Sequence, residues 1–229
     1  SETDVSHVHR LQAELESLEE SVLELTSEQE EHPEPYSFLE DRLENLQATL
    51  KEIEDEQVAV SQRLAQIEKD DINARQKANV YVNRLHTIKR YMEKRNLPGI
   101  PQNFLQLFFT ASNHTEELMA ELEEARVNIE AVNRMLEIAT NDMEALEEET
   151  YNIVQYATLT EQLLQYSNRY RSFDERIQEA FNESLEIFEK EFDYHASFDK
   201  ISQALEVAEP GVTNRFVTSY EKTRETIRF

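Results

Sequence analysis

Leu39–Met92 reads LEDRLENLQATLKEIEDEQVAVSQRLAQIEKDDINARQKANVYVNRLHTIKRYM. Alternating steps of four and three from Leu39 reach positions 39, 43, 46, 50, 53, 57, 60, 64, 67, 71, 74, 78, 81, 85, 88 and 92. Fourteen of these sixteen are apolar, the exceptions being Gln57 and Asp71. An apolar repeat of seven kept for that long is a helical seam, because 3.5-residue spacing keeps one face toward a partner. It predicts one helix of roughly 60 residues, on the order of 90 Å long at 1.5 Å per residue. A polar residue on a seam either sets register or marks a change of partner, and Asp71 admits both readings.

Upstream, Val8, Leu11, Leu15, Leu18, Val22 and Leu25 form a second seam. Pro33 and Pro35 end that helix, and the stretch from Tyr36 to Leu39 begins the next. So short a connection sets the two helices antiparallel. The second helix is about twice as long as the first, so its far half needs another partner. Basic residues collect there: Lys69, Arg75, Lys77, Arg84, Lys89, Arg90, Lys94 and Arg95. They fit a helix C-terminus, or a docking face for an acidic helix.

Downstream, Leu97-Pro98-Gly99-Ile100-Pro101 breaks the chain, and Pro101 suits the start of a helix over residues 102–109. Asn113 with Glu116 has the form of a further helix cap. From Leu118 a seam runs through 122, 125, 129, 132, 136, 139, 143, 146, 150 and 153, with Thr150 its one polar member. Two successive steps of three, to 156 and 159, then predict a local overwinding that turns the apolar face. Beyond Ser172 the elements shorten. Ile177, Phe181, Leu185, Phe188 and Phe192 form an aromatic core face, Ala196-Ser197 a turn, 201–207 a short helix, and Pro210-Gly211 the last break.

Two glycines and five prolines in 229 residues leave little punctuation, which suits long helices rather than a sheet. The fold class expected is all-α: an elongated antiparallel coiled coil, or spectrin-like three-helix repeats sharing long helices. Residues 1–97 would form a helical hairpin with one very long arm, and residues 98–229 a second helical repeat with short C-terminal helices. A net charge of −25 argues against nucleic acid as partner and against anionic lipid. Zero cysteines exclude disulfides and thiolate metal sites. No phosphate-loop, dinucleotide, zinc-protease or nucleophile-elbow motif occurs. The six histidines are scattered, without the paired Glu-x-x-His motifs of a di-iron bundle. No enzyme, metal or cofactor is therefore expected. No apolar run is long enough to span a membrane, and the start at Ser1 reads as a piece of something longer.

One stretch departs from this pattern. Met135 to Asn168 contains no Lys or Arg; then Arg169, Arg171 and Arg176 arrive among Tyr166, Tyr170 and Phe173. If 159–177 is helical, Leu159, Leu163, Tyr166, Tyr170, Phe173 and Ile177 share a stripe. Gln165, Asn168, Arg169 and Ser172 then lie together on its flank, with amides and a guanidinium fork suited to a carboxylate or peptide backbone. Equally, Arg169 and Arg171 could complement a helix C-terminus, with Ser172 and Glu175 boxing the start of the next helix.

From about Leu97 to Phe229 the chain resembles the C-terminal part of the septation ring formation regulator family (EzrA). The segments carrying the likeness are EALEEETYNIVQYATLTEQLLQYSNRYRS (144–172) and PGVTNRFVTSYEKTRETIRF (210–229); over 1–96 it rests on the heptad pattern. The resemblance implies a cytoplasmic arc of spectrin-like repeats behind an N-terminal membrane anchor, at the division septum. It implies binding to FtsZ, the tubulin-like division GTPase, and to other division proteins, with restraint of ring assembly. It also implies a midcell-targeting Gln/Asn/Arg patch, at Gln165, Tyr166, Ser167, Asn168, Arg169, Tyr170 and Arg171, which favours the docking reading there. The competing expectation is a structural spacer or a homodimer whose seams close between two chains.

Overall fold

The structure, a computed structural model, describes residues 2–31 and 37–224, with the side chains of 5–27 and 37–224. Among the described residues seven α-helices follow in order: α1 (Glu2–Glu31), α2 (Ser37–Lys94), α3 (Gln102–Glu123), α4 (Ile129–Tyr166), α5 (Glu175–Glu186), α6 (Tyr194–Ala208) and α7 (Val212–Thr223). Among the described residues there is no strand, so the chain is all-α, and none of the helices is long and apolar enough to cross a membrane. The expected stop at Pro33 and Pro35 and the last five residues of the tail lie outside the described residues.

The chain packs as two compact units. The first takes Ser1–Arg75 and Glu121–Asn133; the second takes Gln76–Ala120 and Arg134–Phe229.

In the first unit, the covered positions of α1 include all six seam residues, with Leu11 buried. On α2 every seam position from Leu39 to Asp71 is half-buried. Burial becomes complete at Ala74, where the tip of the α3–α4 hairpin joins with Leu122 and Val132. Asp71 sits at that junction. Its carboxylate holds Arg75 at 2.9 Å, and Arg75 donates to the Leu122 carbonyl at 2.7 Å, near the C-terminus of α3. A cation on the carbonyl end of a helix is favourable, and Asp71 raises the Arg75 pKa further. The polar seam residue thus marks a change of partner.

The hairpin tip itself was not expected from the seam, which ran unbroken through 122, 125 and 129. The helix ends at Glu123, and Ala125 is exposed. Asn128 starts α4 by accepting the Ala131 N–H through its side chain (3.2 Å) and the Val132 N–H through its carbonyl (2.9 Å). An asparagine at that position competes for the backbone as a cap. Conversely, Asn113 starts nothing: α3 runs through it without a break.

In the second unit α2, α3 and α4 lie side by side. Tyr81 meets Thr140 at 2.6 Å and Arg84 meets Glu147 at 3.5 Å, so α2 and α4 run parallel. The same Arg84–Glu147 pair shows the basic half of α2 receiving the acidic helix. His114 of α3 bonds Asp142 of α4. The buried seam includes Ala78, Tyr81, Leu85, Ile88 and Met92 of α2, facing Phe104, Ala111 and Leu118 of α3 and Leu136, Ala139, Met143 and Leu146 of α4.

Past Ile153 the heptad register does not slip, contrary to the expected overwinding. Ile153, Ala157, Thr160, Leu164 and Ser167 continue it at steps of four, three, four and three, and all are buried. Ala157, Thr160 and Ser167 are small or polar, which hides the row from an apolar count. Leu159 and Leu163 form a second buried row, with Tyr156 and Tyr166 half-covered beside them. The end of α4 is enclosed on both rows because Ile177 and Ala180 of α5, Phe198, Ile201 and Leu205 of α6, and Val212 at the start of α7 pack around it. Each fully buried Leu or Ile there contributes about 1.5–3 kcal/mol.

The turn placed at Ala196-Ser197 lies earlier. A single π turn, Ile187–Glu191, leads to Phe192, whose φ of 58° is left-handed, and Asp193 caps α6 by accepting the Ala196 N–H at 3.0 Å. The Phe192 ring rests on Gly99: a Cβ there would fall 2.5 Å from it. Tyr194 donates to the Gly99 carbonyl at 2.6 Å, so the central break is fastened to the C-terminal helices. Gly99→Ala is expected to cost about 1–3 kcal/mol by overpacking. In a double-mutant cycle read by urea unfolding, most of that cost should vanish when Phe192→Ala is also present.

Candidate functional site

The 159–177 stretch is a corner between helices. α4 ends at Tyr166, one 3₁₀ turn covers Ser167–Arg169, and α5 begins at Glu175. Ser167, wholly buried, turns its hydroxyl back to the Leu164 carbonyl at 2.5 Å. The Ser167 carbonyl accepts the N–H groups of Tyr170 (2.9 Å) and Arg171 (3.1 Å), and the Tyr170 carbonyl those of Phe173 (3.1 Å) and Asp174 (2.9 Å). Asp174 then caps α5, accepting the N–H groups of Arg176 (3.0 Å) and Ile177 (3.4 Å). Asp174 does what was expected of Ser172; aspartate at an N-cap also favours the positive end of the helix. Because the helix stops at Tyr166, Gln165, Asn168, Arg169 and Ser172 do not share a helical flank.

The corner keeps some side chains inside and turns others out. Gln165, Asn168, Arg169, Ser172 and Arg176 are exposed, and Tyr166, Tyr170 and Arg171 half-buried. Asn168 accepts a bond from Arg171 at 3.0 Å, whose Nε also reaches Gln178 at 3.2 Å; the Arg171 guanidinium lies over the Phe181 ring, 3.5 Å from its centre. Arg169 lies over the Tyr166 ring at 4.7 Å. Such cation–aromatic contacts hold a guanidinium in place without neutralising it. Phe173, placed on the apolar stripe by its spacing, is instead 73% exposed.

Three residues of the tail complete the corner, and the spacing gave no sign of them. The Tyr166 hydroxyl donates to Glu209, accepts from Arg215 at 3.0 Å, and lies 3.4 Å from Arg169. Phe216 meets the Tyr166 ring edge-on at 5.2 Å. The α6–α7 turn brings them there. Gly211 takes the left-handed conformation (φ 87°), while Glu206 accepts the N–H groups of Gly211 (2.7 Å) and Thr213 (3.4 Å). The hydrogen bond from Tyr166, helped by Arg215, holds the Glu209 carboxyl below its usual range against partial burial. Among the described residues no group of three or more His, Asp or Glu side chains is arranged to hold a metal ion.

An acidic helical chain closing on a basic, aromatic corner defines a helical protein with a displayed polar surface. The chain belongs to the family described as septation ring formation regulator, EzrA, which it matches over residues 1–220. It is 82% identical over 228 residues to the proteins of that name from Streptococcus pneumoniae strains Hungary19A-6, serotype 19F G54 and serotype 2 D39. Each match takes in 100% of this chain and 40% of the relative, so the chain spans well under half the length of the curated relatives it matches. No solved structure matches it.

Partly shielded carboxyls on α4 set an opposing pH dependence. Partial loss of solvent pushes the half-buried Glu147 and Glu149, and the more exposed Glu161, above the usual carboxylate range. An acid whose folded pKa is raised binds protons more readily when folded, so stability rises as pH falls toward its unfolded value. Glu209, lowered, contributes the reverse: its stabilisation is present above the unfolded pKa and lost as pH falls through the folded one. The urea midpoint is expected to rise from pH 7 to pH 5 and fall at more acid pH. Tyr166→Phe should lessen the acid-side fall while leaving the rise from pH 7 to 5 in place.

Proposed function

We propose that this chain is part of a non-enzymatic cell-division regulator that binds FtsZ and restrains division-ring assembly, the corner at 165–171 serving to target it to midcell. The observation that carries this reading is the corner's geometry within a family of septation regulators. Asn168 and Arg169 stand exposed on a turn knitted by backbone bonds, in a chain whose charge is otherwise strongly negative. Gln165 stands exposed one helical turn before Arg169. The half-buried Tyr166, Tyr170 and Arg171, with buried Ser167, support them from beneath. The other division proteins and the septal location follow from the same family reading.

A second reading has one observation in its favour. Ten successive seam positions of α2, from Leu39 to Asp71, are only half-covered, and Leu23, Phe38, Val58 and Ile72 are exposed. A second copy of the chain could cover that face as a coiled-coil rod or spacer. Mass measured across a concentration series separates the two, since a dimer's apparent stability rises with concentration.

The test is co-sedimentation of the chain with GTP-assembled FtsZ polymers. The chain is expected to travel with the polymer or to reduce its amount, and Arg169→Ala and Asn168→Ala to weaken binding several-fold with unchanged far-ultraviolet circular dichroism. Loss of helicity in step with binding would leave the corner a structural element only.

A further inference from the structure

The tail segment Glu209-Pro210-Gly211-Val212 brings a carboxylate to the corner by a chain of local constraints. A proline disfavours helical backbone in the residue before it. α6 accordingly ends at Ala208, and Glu209 leaves the helix with φ −140° and ψ 87°. Its backbone is held on both sides: the N–H donates to the Leu205 carbonyl at 2.8 Å, and the carbonyl accepts the Val212 N–H at 3.2 Å. Gly211 supplies the left-handed step, and the buried Val212 pins the start of α7 in the C-terminal core.

Four side chains act on the Glu209 carboxylate. It accepts from the Tyr166 hydroxyl, and Arg215 approaches it to 3.8 Å. The bond from Tyr166, opposed by partial burial and helped by Arg215, Tyr170 and Arg169, favours its ionised form. Arg169 and Arg215 meet again one atom further on. The Tyr166 hydroxyl accepts from Arg215 at 3.0 Å and from Arg169 at 3.4 Å, and both guanidinia lie over the Tyr166 ring, 5.5 and 4.7 Å from its centre. A phenol hydroxyl has one proton to give and lone pairs to receive. With the proton committed to Glu209, the lone pairs are turned to the two arginines, so the carboxylate decides which way the hydroxyl points. An exposed arginine has much rotamer freedom to lose on binding. One already held over a ring by an oriented hydroxyl has lost part of it beforehand.

We infer that Glu209 is the positioning residue of the corner: through the Tyr166 hydroxyl it aims Arg169. Its effect on binding rests on the corner being the partner-binding site; on that reading, the turn after α6 tunes the site without belonging to its contact surface.

Two measurements on the whole chain test this. The first needs no partner: nitrogen-15 relaxation of the Arg169 Nε–H group. The parent is expected to show a restrained group. Glu209→Ala and Tyr166→Phe should each lose that restraint, and Glu209→Gln, which keeps an acceptor oxygen for Tyr166, should restore most of it. Arg169 as restrained in Glu209→Ala as in the parent would overturn the inference. So would a loss that Glu209→Gln does not repair, or one accompanied by a fall in thermal midpoint in step with it, since either makes Glu209 a general support of the fold. The second is co-sedimentation with GTP-assembled FtsZ. Glu209→Ala should weaken binding several-fold, and adding it to Arg169→Ala should weaken binding no further than Arg169→Ala does alone. Full additivity of the two would make Glu209 a contact in its own right and contradict a role exerted through Arg169. Release of Arg169 by Glu209→Ala in a chain whose parent does not sediment with FtsZ would leave the positioning role standing and remove only FtsZ as the partner.

Discussion

The C-terminal part of the chain depends on α4 being buried on two rows at once. A helix in a bundle ordinarily shows one stripe to its partners and the rest to water. From Ile153 onward α4 gives up that freedom. The heptad row continues through Ala157, Thr160 and Leu164, and Leu159 and Leu163 add a second. Small residues let neighbours approach closely, and the polar member in the middle is satisfied across the packing, the Thr160 hydroxyl donating to the Tyr194 carbonyl of α6 at 3.4 Å. With both rows covered, the last turn of α4 has one geometry available, and the corner that follows inherits it. Ser167, wholly buried, transmits that constraint: its hydroxyl bonds back to Leu164, and its carbonyl anchors the next two amides.

The seam of α2 was legible in the sequence to the residue. All sixteen positions counted from Leu39 prove to be half-buried or buried, and the two polar members did not disturb the pattern. That success has a plain cause, since a long helix packed along one face is governed by one periodicity. The failures lie where a second influence competes. At Glu124–Asn128 an apolar count carried the helix onward, while Asn128 was free to take up backbone N–H groups and start a new one. At 156–159 the count followed the large residues and lost the true register, which ran through Ala157 and Thr160. At Ala196-Ser197 two small residues suggested a turn that Phe192 and Asp193 supply.

At the corner the sequence shows the abrupt arrival of Arg169, Arg171 and Arg176 among aromatics after thirty-four residues without a base, and the structure ends α4 there. The helical arrangement drawn from it did not survive. Phe173, counted as core by its spacing, is exposed, and Asp174 takes the capping role given to Ser172. Glu209, Arg215 and Phe216 could not have been found by spacing, because only the left-handed Gly211 turn brings them to Tyr166. An arginine over an aromatic ring keeps its charge while losing its freedom.

The central claim is that residues 167–177 form a fixed corner that presents these groups, and amide hydrogen exchange tests it most directly. The N–H groups of Tyr170, Arg171, Phe173, Asp174, Arg176 and Ile177 each have a bonded acceptor. They are expected to exchange far more slowly than an unstructured chain, and to gain protection in parallel with the end of α4. Exchange of these six amides at the rate of an unstructured peptide, while α4 stays protected, would contradict the account.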